Sequence, residues 1–205
     1  MASSRFSLLA ASLAILLLAT ATSAFARHYA VAVTAPPPTC DASTLNGFAK
    51  QVKLTNDGLF LLHWNVTKDK KGIVAAIQAK TGSGGETGWV SVGWTKKKDL
   101  MMPADVVVGN LANAAPNNVL AYNLKSKTAL SQNKKTGALT LSAKSVASNA
   151  DGLIVKFTVK TGKKGVAPPK YTGYNNMIWA YNDAKTFNAH SNRGSISVHL
   201  GCTPV

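Results

Sequence analysis

Two adjacent methionines, Met101 and Met102, stand between a lysine run and an apolar segment in the stretch DLMMPAD. Methionine fills irregular gaps in hydrophobic cores, and its thioether is also a soft metal ligand. His190 lies in a polar stretch of the late sequence, whereas His63 and His199 fall within strand-like segments. A thioether and a neutral imidazole form a known axial pair for haem iron, which makes one of these methionines and His190 candidate ligands. Their types and spacing alone leave core packing open.

The sequence lacks the motifs of the common catalytic centres. It contains no G-x-S-x-G, H-E-x-x-H or C-x-x-C pattern. A hydrolase with paired carboxylates stays open, although nothing in the placement of the eight acidic residues favours it. Most enzyme classes are therefore not indicated.

Short apolar or alternating runs, separated by turn-forming residues, fill the chain from residue 58 onward, and no segment has the pattern of an amphipathic helix. The runs are 58–66, 72–81, 88–95, 104–111, 118–125, 137–147, 152–161, 175–182 and 194–200. Eight or nine strands with short links predict an all-β fold, an antiparallel β-sandwich.

The N-terminus predicts export. A charged start, the apolar run LLAASLAILLLATA and the small-residue exit Ala24-Phe25-Ala26 are typical of a secretory signal peptide. The run is shorter than the roughly 20 residues that span a bilayer, and we expect no transmembrane segment in the mature chain. We predict a signal peptide over 1–26, an extended proline-rich leader over 27–39, a domain over 40–205, and a secreted protein of the apoplast, cell wall or cell surface.

The two cysteines, Cys40 and Cys202, stand near the two ends of this domain. In an oxidising compartment an even pair predicts a disulfide, with two free thiols as the alternative. The sequon Asn65-Val66-Thr67 predicts glycosylation at Asn65.

The formal charge of +15 comes mostly from lysine, and Arg193 is the one arginine well inside the domain. Because arginine supplies the fork that reads bases and phosphates, this composition argues against sequence-specific binding of nucleic acid. It suits an anionic cell-wall polysaccharide or an acidic redox protein, with a merely solvated surface as the alternative.

Several segments resemble the DOMON domain family. GWVSVGW (88–94) followed by LMMPADVVVG (100–109) is similar to the family core G-[WY]-V-x-[IV]-G-[FW] … M-x-G-A-D-V-V-x-G. MIWAY (177–181) and HSNRGS (190–195) are similar to its late I-W-A strand and its H-x-x-R-G-S loop, and GLFLLHWNV (58–66) resembles its first core strand. The resemblance extends from about Cys40 to Cys202.

The resemblance implies an immunoglobulin-like β-sandwich, usually extracellular, and in one branch of the family a bound haem b. By the same resemblance the axial ligands are Met101 and His190. Pro103 replaces the family's glycine and removes a backbone N–H, which makes Met102 the alternative ligand.

Other residues are candidates for contacts with such a cofactor. Flat apolar rings suit a macrocycle, so Trp89, Trp94, Trp179 and Tyr181 could wall it or pack in the core. Arg193 could pair with a haem propionate or form a structural contact. Lys96, Lys97 and Lys98 could steer an acidic partner or only solvate a loop.

We therefore expect a secreted single-domain b-type cytochrome, an electron-transfer protein rather than an enzyme. It would transfer single electrons outside the cell, from a small reductant such as ascorbate or with an acidic redox protein. The alternative is a haem-free DOMON module that binds a sugar or another small ligand at the cell wall or surface. A structural or adhesive wall protein is a third interpretation.

Overall fold

The computed structural model describes residues 38–112, 118–125, 139–160, 169–184 and 190–205. The predicted signal peptide, and all but the last two residues of the predicted leader, lie outside the described residues. Within these ranges, no helix long and apolar enough to cross a membrane occurs.

The described residues form twelve strands and no helix. The strands are β1 (Thr39–Ala42), β2 (Lys50–Lys53), β3 (Phe60–Val66), β4 (Gly72–Ala79), β5 (Trp89–Thr95), β6 (Ala104–Asn110), β7 (Val119–Leu124), β8 (Leu141–Asn149), β9 (Gly152–Lys160), β10 (Tyr174–Asn182), β11 (Asn192–His199) and β12 (Thr203–Pro204).

Two sheets form a sandwich. The larger has seven strands in the order β12-β1-β2-β3-β4-β9-β8, and the smaller has five in the order β11-β10-β5-β6-β7. All described pairings are antiparallel except the short one between β1 and β12. The predicted all-β sandwich is confirmed.

The core lies between the sheets. Along β3, the alternate residues Phe60, Leu62 and Trp64 are fully buried in it, as the two-residue period of a strand requires. In the smaller sheet, Trp94 and Met177 occupy the same core. Burial of one large apolar side chain contributes roughly 1.5–3 kcal/mol, so these rows hold the two sheets together.

Three strands have no counterpart among the predicted runs. β1 and β2 have four residues each and β12 has two, and most of their residues are not buried. Such short segments carry no apolar periodicity, because they form an edge of the seven-stranded sheet with little apolar surface to cover. Every longer strand overlaps a predicted run.

The predicted disulfide is confirmed. Cys40 of β1 is bonded to Cys202, 162 residues later in the chain, and Cys202 is buried in the core. The bond ties the first described strand to the segment that leads into β12.

His63, in the middle of β3, is fully buried on the other face of the seven-stranded sheet. Its Nε2 donates to Gln78 Oε1 at 3.0 Å, and Ser43 Oγ lies 2.9 Å from its Nδ1. Burial lowers the pKa of His63 to about 4, because the imidazolium would lose its hydration there; the hydrogen bond with Gln78 opposes the lowering and the charge of Lys80 adds to it.

Removal of the disulfide should destabilise the fold. We expect the double variant Cys40→Ala/Cys202→Ala to lose about 2–5 kcal/mol of unfolding free energy, because the bond restricts the unfolded chain over a long loop. Urea unfolding followed by tryptophan fluorescence measures the loss, and wild-type protein under reductant is the matched control. Equal stability of the oxidised wild type and the double variant would contradict this expectation.

Burial of neutral His63 should make stability depend on pH. The unfolded chain binds a proton at this residue near pH 6.5, whereas the folded chain binds it only near pH 4. The free energy of unfolding should therefore fall by about 3 kcal/mol as the pH drops from about 6.5 to about 4. The variant His63→Gln keeps hydrogen-bonding atoms but does not titrate, so its stability should change less over this range; two parallel pH profiles would refute the assignment.

Candidate functional site

The loop between β5 and β6 carries both methionines and folds back across β10. The two strands pair as far as Thr95 and Ala104, which leaves residues 96–103 as the connection. Asp99 Oδ1 accepts a hydrogen bond from Ser195 Oγ of β11, although β10 lies between β5 and β11 in the sheet. Asp99 also has a left-handed φ of 62°, uncommon outside glycine, at which the loop turns. The loop therefore reaches across the outer face of the smaller sheet.

A second apolar cluster covers this outer face. Along β10, Ile178 and Ala180 belong to it, whereas the alternate residues Met177, Trp179 and Tyr181 face the sandwich core. Its buried members are Trp89, Ala104, Val106, Val108, Tyr122, Ile178 and Ala180, and Met101, Leu120 and Leu124 pack against them. Half-buried Met101 is thus held against an apolar surface.

The Arg193 guanidinium joins Met101 to His190. Its Nη1 lies 4.0 Å from Met101 Sδ, 92 residues earlier in the chain, and 3.2 Å from His190 Nε2. Because a guanidinium only donates, His190 Nε2 is the acceptor in this contact. Because both atoms lie close to Arg193 Nη1, Met101 Sδ and His190 Nε2 are also near each other. The structure brings together the two candidate ligands and Arg193.

Backbone and side-chain bonds to Tyr181 hold the segment around His190. Ser191 donates to the Tyr181 carbonyl oxygen from its backbone N at 3.0 Å and from its Oγ at 3.2 Å. Asn192 Nδ2 donates to Tyr181 Oη at 2.9 Å. Since Tyr181 is itself packed in the core, these bonds attach the end of the loop to the rigid sheet.

Gly194 is the fifth residue of the segment HSNRGS. A Cβ atom at this position would lie 2.4 Å from Trp179 Cζ2, so only glycine lets the indole lie under β11. Each residue of the segment thus has a structural partner. Ser191 and Asn192 bond to Tyr181, and Arg193 contacts both His190 and Met101. Gly194 makes room for Trp179, and Ser195 bonds to Asp99.

The four predicted aromatic wall residues separate onto two faces of the sheet. Trp89 belongs to the outer cluster that contacts Met101. Trp94, Trp179 and Tyr181 pack in the sandwich core, on the opposite face. The structure does not bring these three together with Met101, because the alternation of β5 and β10 directs them inward.

The remaining predicted residues have defined positions. Met102, the alternative ligand, is half-buried beside Pro103, and the peptide bond between them is cis. Asn65, the predicted glycosylation residue, donates from Nδ2 to Gly47 O at 2.7 Å and accepts from Ala49 N at 2.7 Å. Glycosylation at this amide remains a prediction.

A cavity of about 230 Å³ lies elsewhere, next to the disulfide. Asp41, Gln51, Trp64 and His199 are among its lining residues, and none of Met101, His190 or Arg193 lines it. The candidate ligands Met101 and His190 and this cavity are therefore at separate places in the molecule.

The bond between Asp99 and Ser195 should restrain the β5–β6 loop. Trypsin cleaves after lysine, so the rate of cleavage at Lys96, Lys97 and Lys98 measures how often the loop opens. Loss of one hydrogen bond to a carboxylate should raise local opening, and hence cleavage, roughly threefold or more in Ser195→Ala. Ser91→Ala is the matched control, because it removes a bond on the same face to the Ala180 carbonyl oxygen rather than to the loop. Equal cleavage rates in the two variants would mean that the bond does not restrain the loop.

Comparisons with known proteins agree with this architecture. The family model described as the DOMON domain matches residues 56–182, more than half of the chain, including Met101 but not His190. The cytochrome b domain of pyranose dehydrogenase from Coprinopsis cinerea has a similar fold, with a TM-score of 0.52 and 12% identity over 80% of this chain and 88% of that one. The cytochrome domain of Myriococcum thermophilum cellobiose dehydrogenase gives a TM-score of 0.51 and 12% identity over 82% and 91% of the two chains. No curated protein matches the chain. The chain therefore belongs to the DOMON domain family.

Proposed function

We propose that this domain binds one haem b through Met101 and His190 and transfers single electrons outside the cell. The observation that carries the proposal is the position of Arg193 Nη1, 4.0 Å from Met101 Sδ and 3.2 Å from His190 Nε2. Two candidate metal ligands from distant parts of the chain, a thioether and an imidazole, thereby lie close together beside an apolar cluster.

The residues at this point fit a haem. A thioether and an imidazole are a known ligand pair for haem iron, so Met101 and His190 would hold the iron of a bound haem. The outer apolar cluster lies directly beside Met101, so a haem held by this residue would lie next to apolar side chains. Trp89, a member of this cluster, is the candidate aromatic contact.

Each side chain has a defined part in this arrangement. When bound, haem supplies a one-electron change of its iron, at a potential that a methionine ligand raises. Met101 and His190 would hold the iron, and the hydrogen bonds between Ser195 and Asp99 and between Ser191 and Tyr181 keep their segments in place. Arg193, which lies between the two candidate ligands, would pair with a carboxylate of a bound haem, for which its fork is suited.

The setting of the protein is part of the proposal. The disulfide between Cys40 and Cys202 fits an oxidising compartment and supports secretion. The two solved structures with a similar fold are described as cytochrome domains of dehydrogenases, which supports electron transfer. We propose ascorbate as a representative small reductant.

A haem-free module that binds a sugar or a related small molecule is the second candidate. The cavity beside the disulfide favours it, since Asp41, Gln51 and His199 supply polar groups there and Trp64 an aromatic one. Such a module has no use for the convergence of Met101 and His190, so haem uptake separates the two candidates.

Absorption spectra of the haemin-supplied protein, oxidised and reduced, test the proposal. We expect a sharp Soret band and narrow reduced α and β bands, which indicate a six-coordinate haem. Met101→Ala should give a high-spin, five-coordinate spectrum, because the sulfur ligand is lost. His190→Ala should largely abolish haem retention.

The chain supplies matched controls for these variants. Met102→Ala and His199→Ala remove the same residue types from positions other than the proposed ligands, and their spectra should equal that of the wild type. A protein that stays colourless with haemin would overturn the proposal. Loss of the six-coordinate spectrum in Met102→Ala but not in Met101→Ala would assign the sulfur to the other methionine.

A further inference from the structure

The loop that carries Met101 also carries an exposed basic surface. Lys96, Lys97 and Lys98 are all exposed, and Leu100 is 46% exposed. We call residues 96–100 the basic loop.

The basic loop has a fixed position relative to Met101. At its start, Asn176 Nδ2 of β10 donates to the Lys96 carbonyl oxygen at 3.3 Å. In its middle, Asp99 accepts the hydrogen bond from Ser195. Just beyond its end, Met101 packs against the outer apolar cluster. The lysines are therefore displayed at a constant place beside the candidate ligand.

The composition of this surface suits brief contact with another protein. Lysine ammonium groups are hydrated, flexible point charges that attract an opposite surface and raise the association rate. Asp99 is the single acidic residue of the loop, and its carboxylate is already bonded to Ser195. Leu100 supplies an exposed apolar contact within the basic rim, as in small transient interfaces.

These features favour a protein over a polysaccharide as the partner. An anionic polysaccharide gains nothing from an exposed leucine or from closeness to Met101, whereas a redox protein gains from both. We propose that the basic loop is the docking surface for a redox protein with an acidic face, and this inference rests on the proposed function. One electron leaves the reduced domain and reduces the acceptor centre of the partner.

The chain contains a matched control for the basic loop. Lys68, Lys70 and Lys71 are also exposed, on the turn between β3 and β4 of the other sheet. Two triple variants, Lys96→Gln/Lys97→Gln/Lys98→Gln and Lys68→Gln/Lys70→Gln/Lys71→Gln, therefore lose the same charge at different places. Absorption spectra of both should equal that of the wild type, because none of the six residues is a ligand.

Stopped-flow oxidation of the reduced, haem-loaded proteins tests the inference. The protein probe is plastocyanin, an acidic blue-copper protein whose Cu(II) takes one electron and becomes Cu(I). The small anionic probe is ferricyanide. At low ionic strength we expect plastocyanin to oxidise the 96–98 variant at least about tenfold more slowly than the wild type, and the 68–71 variant within about twofold of it. Added salt should remove the difference.

Each other outcome overturns the inference. Equal slowing of the two variants would mean that overall charge, not the basic loop, attracts the partner. Equal slowing of the 96–98 variant with plastocyanin and with ferricyanide would assign the loop to small anions. No slowing with plastocyanin, in protein with a normal haem spectrum, would refute docking and leave the proposed function intact. A wild type that takes up no haem would overturn both.

Discussion

The antiparallel pairing of β10 with both β5 and β11 places Arg193 and Ser195 on the outer face of the smaller sheet. In this register Ala180 lies opposite Ser91 on one side and Arg193 on the other, and Ile178 lies opposite Gly93 and Ser195. The outer-facing residues of three strands therefore share one surface, over which the β5–β6 loop can fold. A shift of one residue would exchange the two faces of β10 and move Arg193 and Ser195 out of reach of the loop.

The two faces of this sheet have different tasks. Trp179 and Tyr181 face inward, where they stack on each other with ring centroids 6.0 Å apart and join the sandwich core. Through its carbonyl and hydroxyl oxygens, Tyr181 also holds the segment that carries His190. The outer face carries the apolar cluster, Met101 and Arg193. The segment of His190 is thus held by a residue packed in the core, while the loop of Met101 is restrained by the surface hydrogen bond between Asp99 and Ser195.

Much of the fold follows from residue pattern, and less of the site does. The longer strands contain enough alternating apolar residues to predict the sandwich, and the paired cysteines predict the disulfide. β1, β2 and β12 are too short and too exposed for such a pattern. The pairing of Met101 with His190 comes from the resemblance to a family, since their spacing carries no signal. Residues of β10 are apolar on both faces, so alternation could not show that Trp179 and Tyr181 face away from Met101. The bond between Asp99 and Ser195 depends on a folded-back loop that local sequence does not reveal.

Direct detection of sulfur ligation tests the central claim most directly. Near-infrared magnetic circular dichroism of the ferric protein distinguishes a thioether and imidazole pair from two imidazoles by the position of the charge-transfer band. The account predicts the thioether band in the wild type and in Met102→Ala, and its loss in Met101→Ala. A band that persists in Met101→Ala, or that has the position of two imidazole ligands in the wild type, would contradict the assignment of Met101 and His190 as the pair that holds the haem.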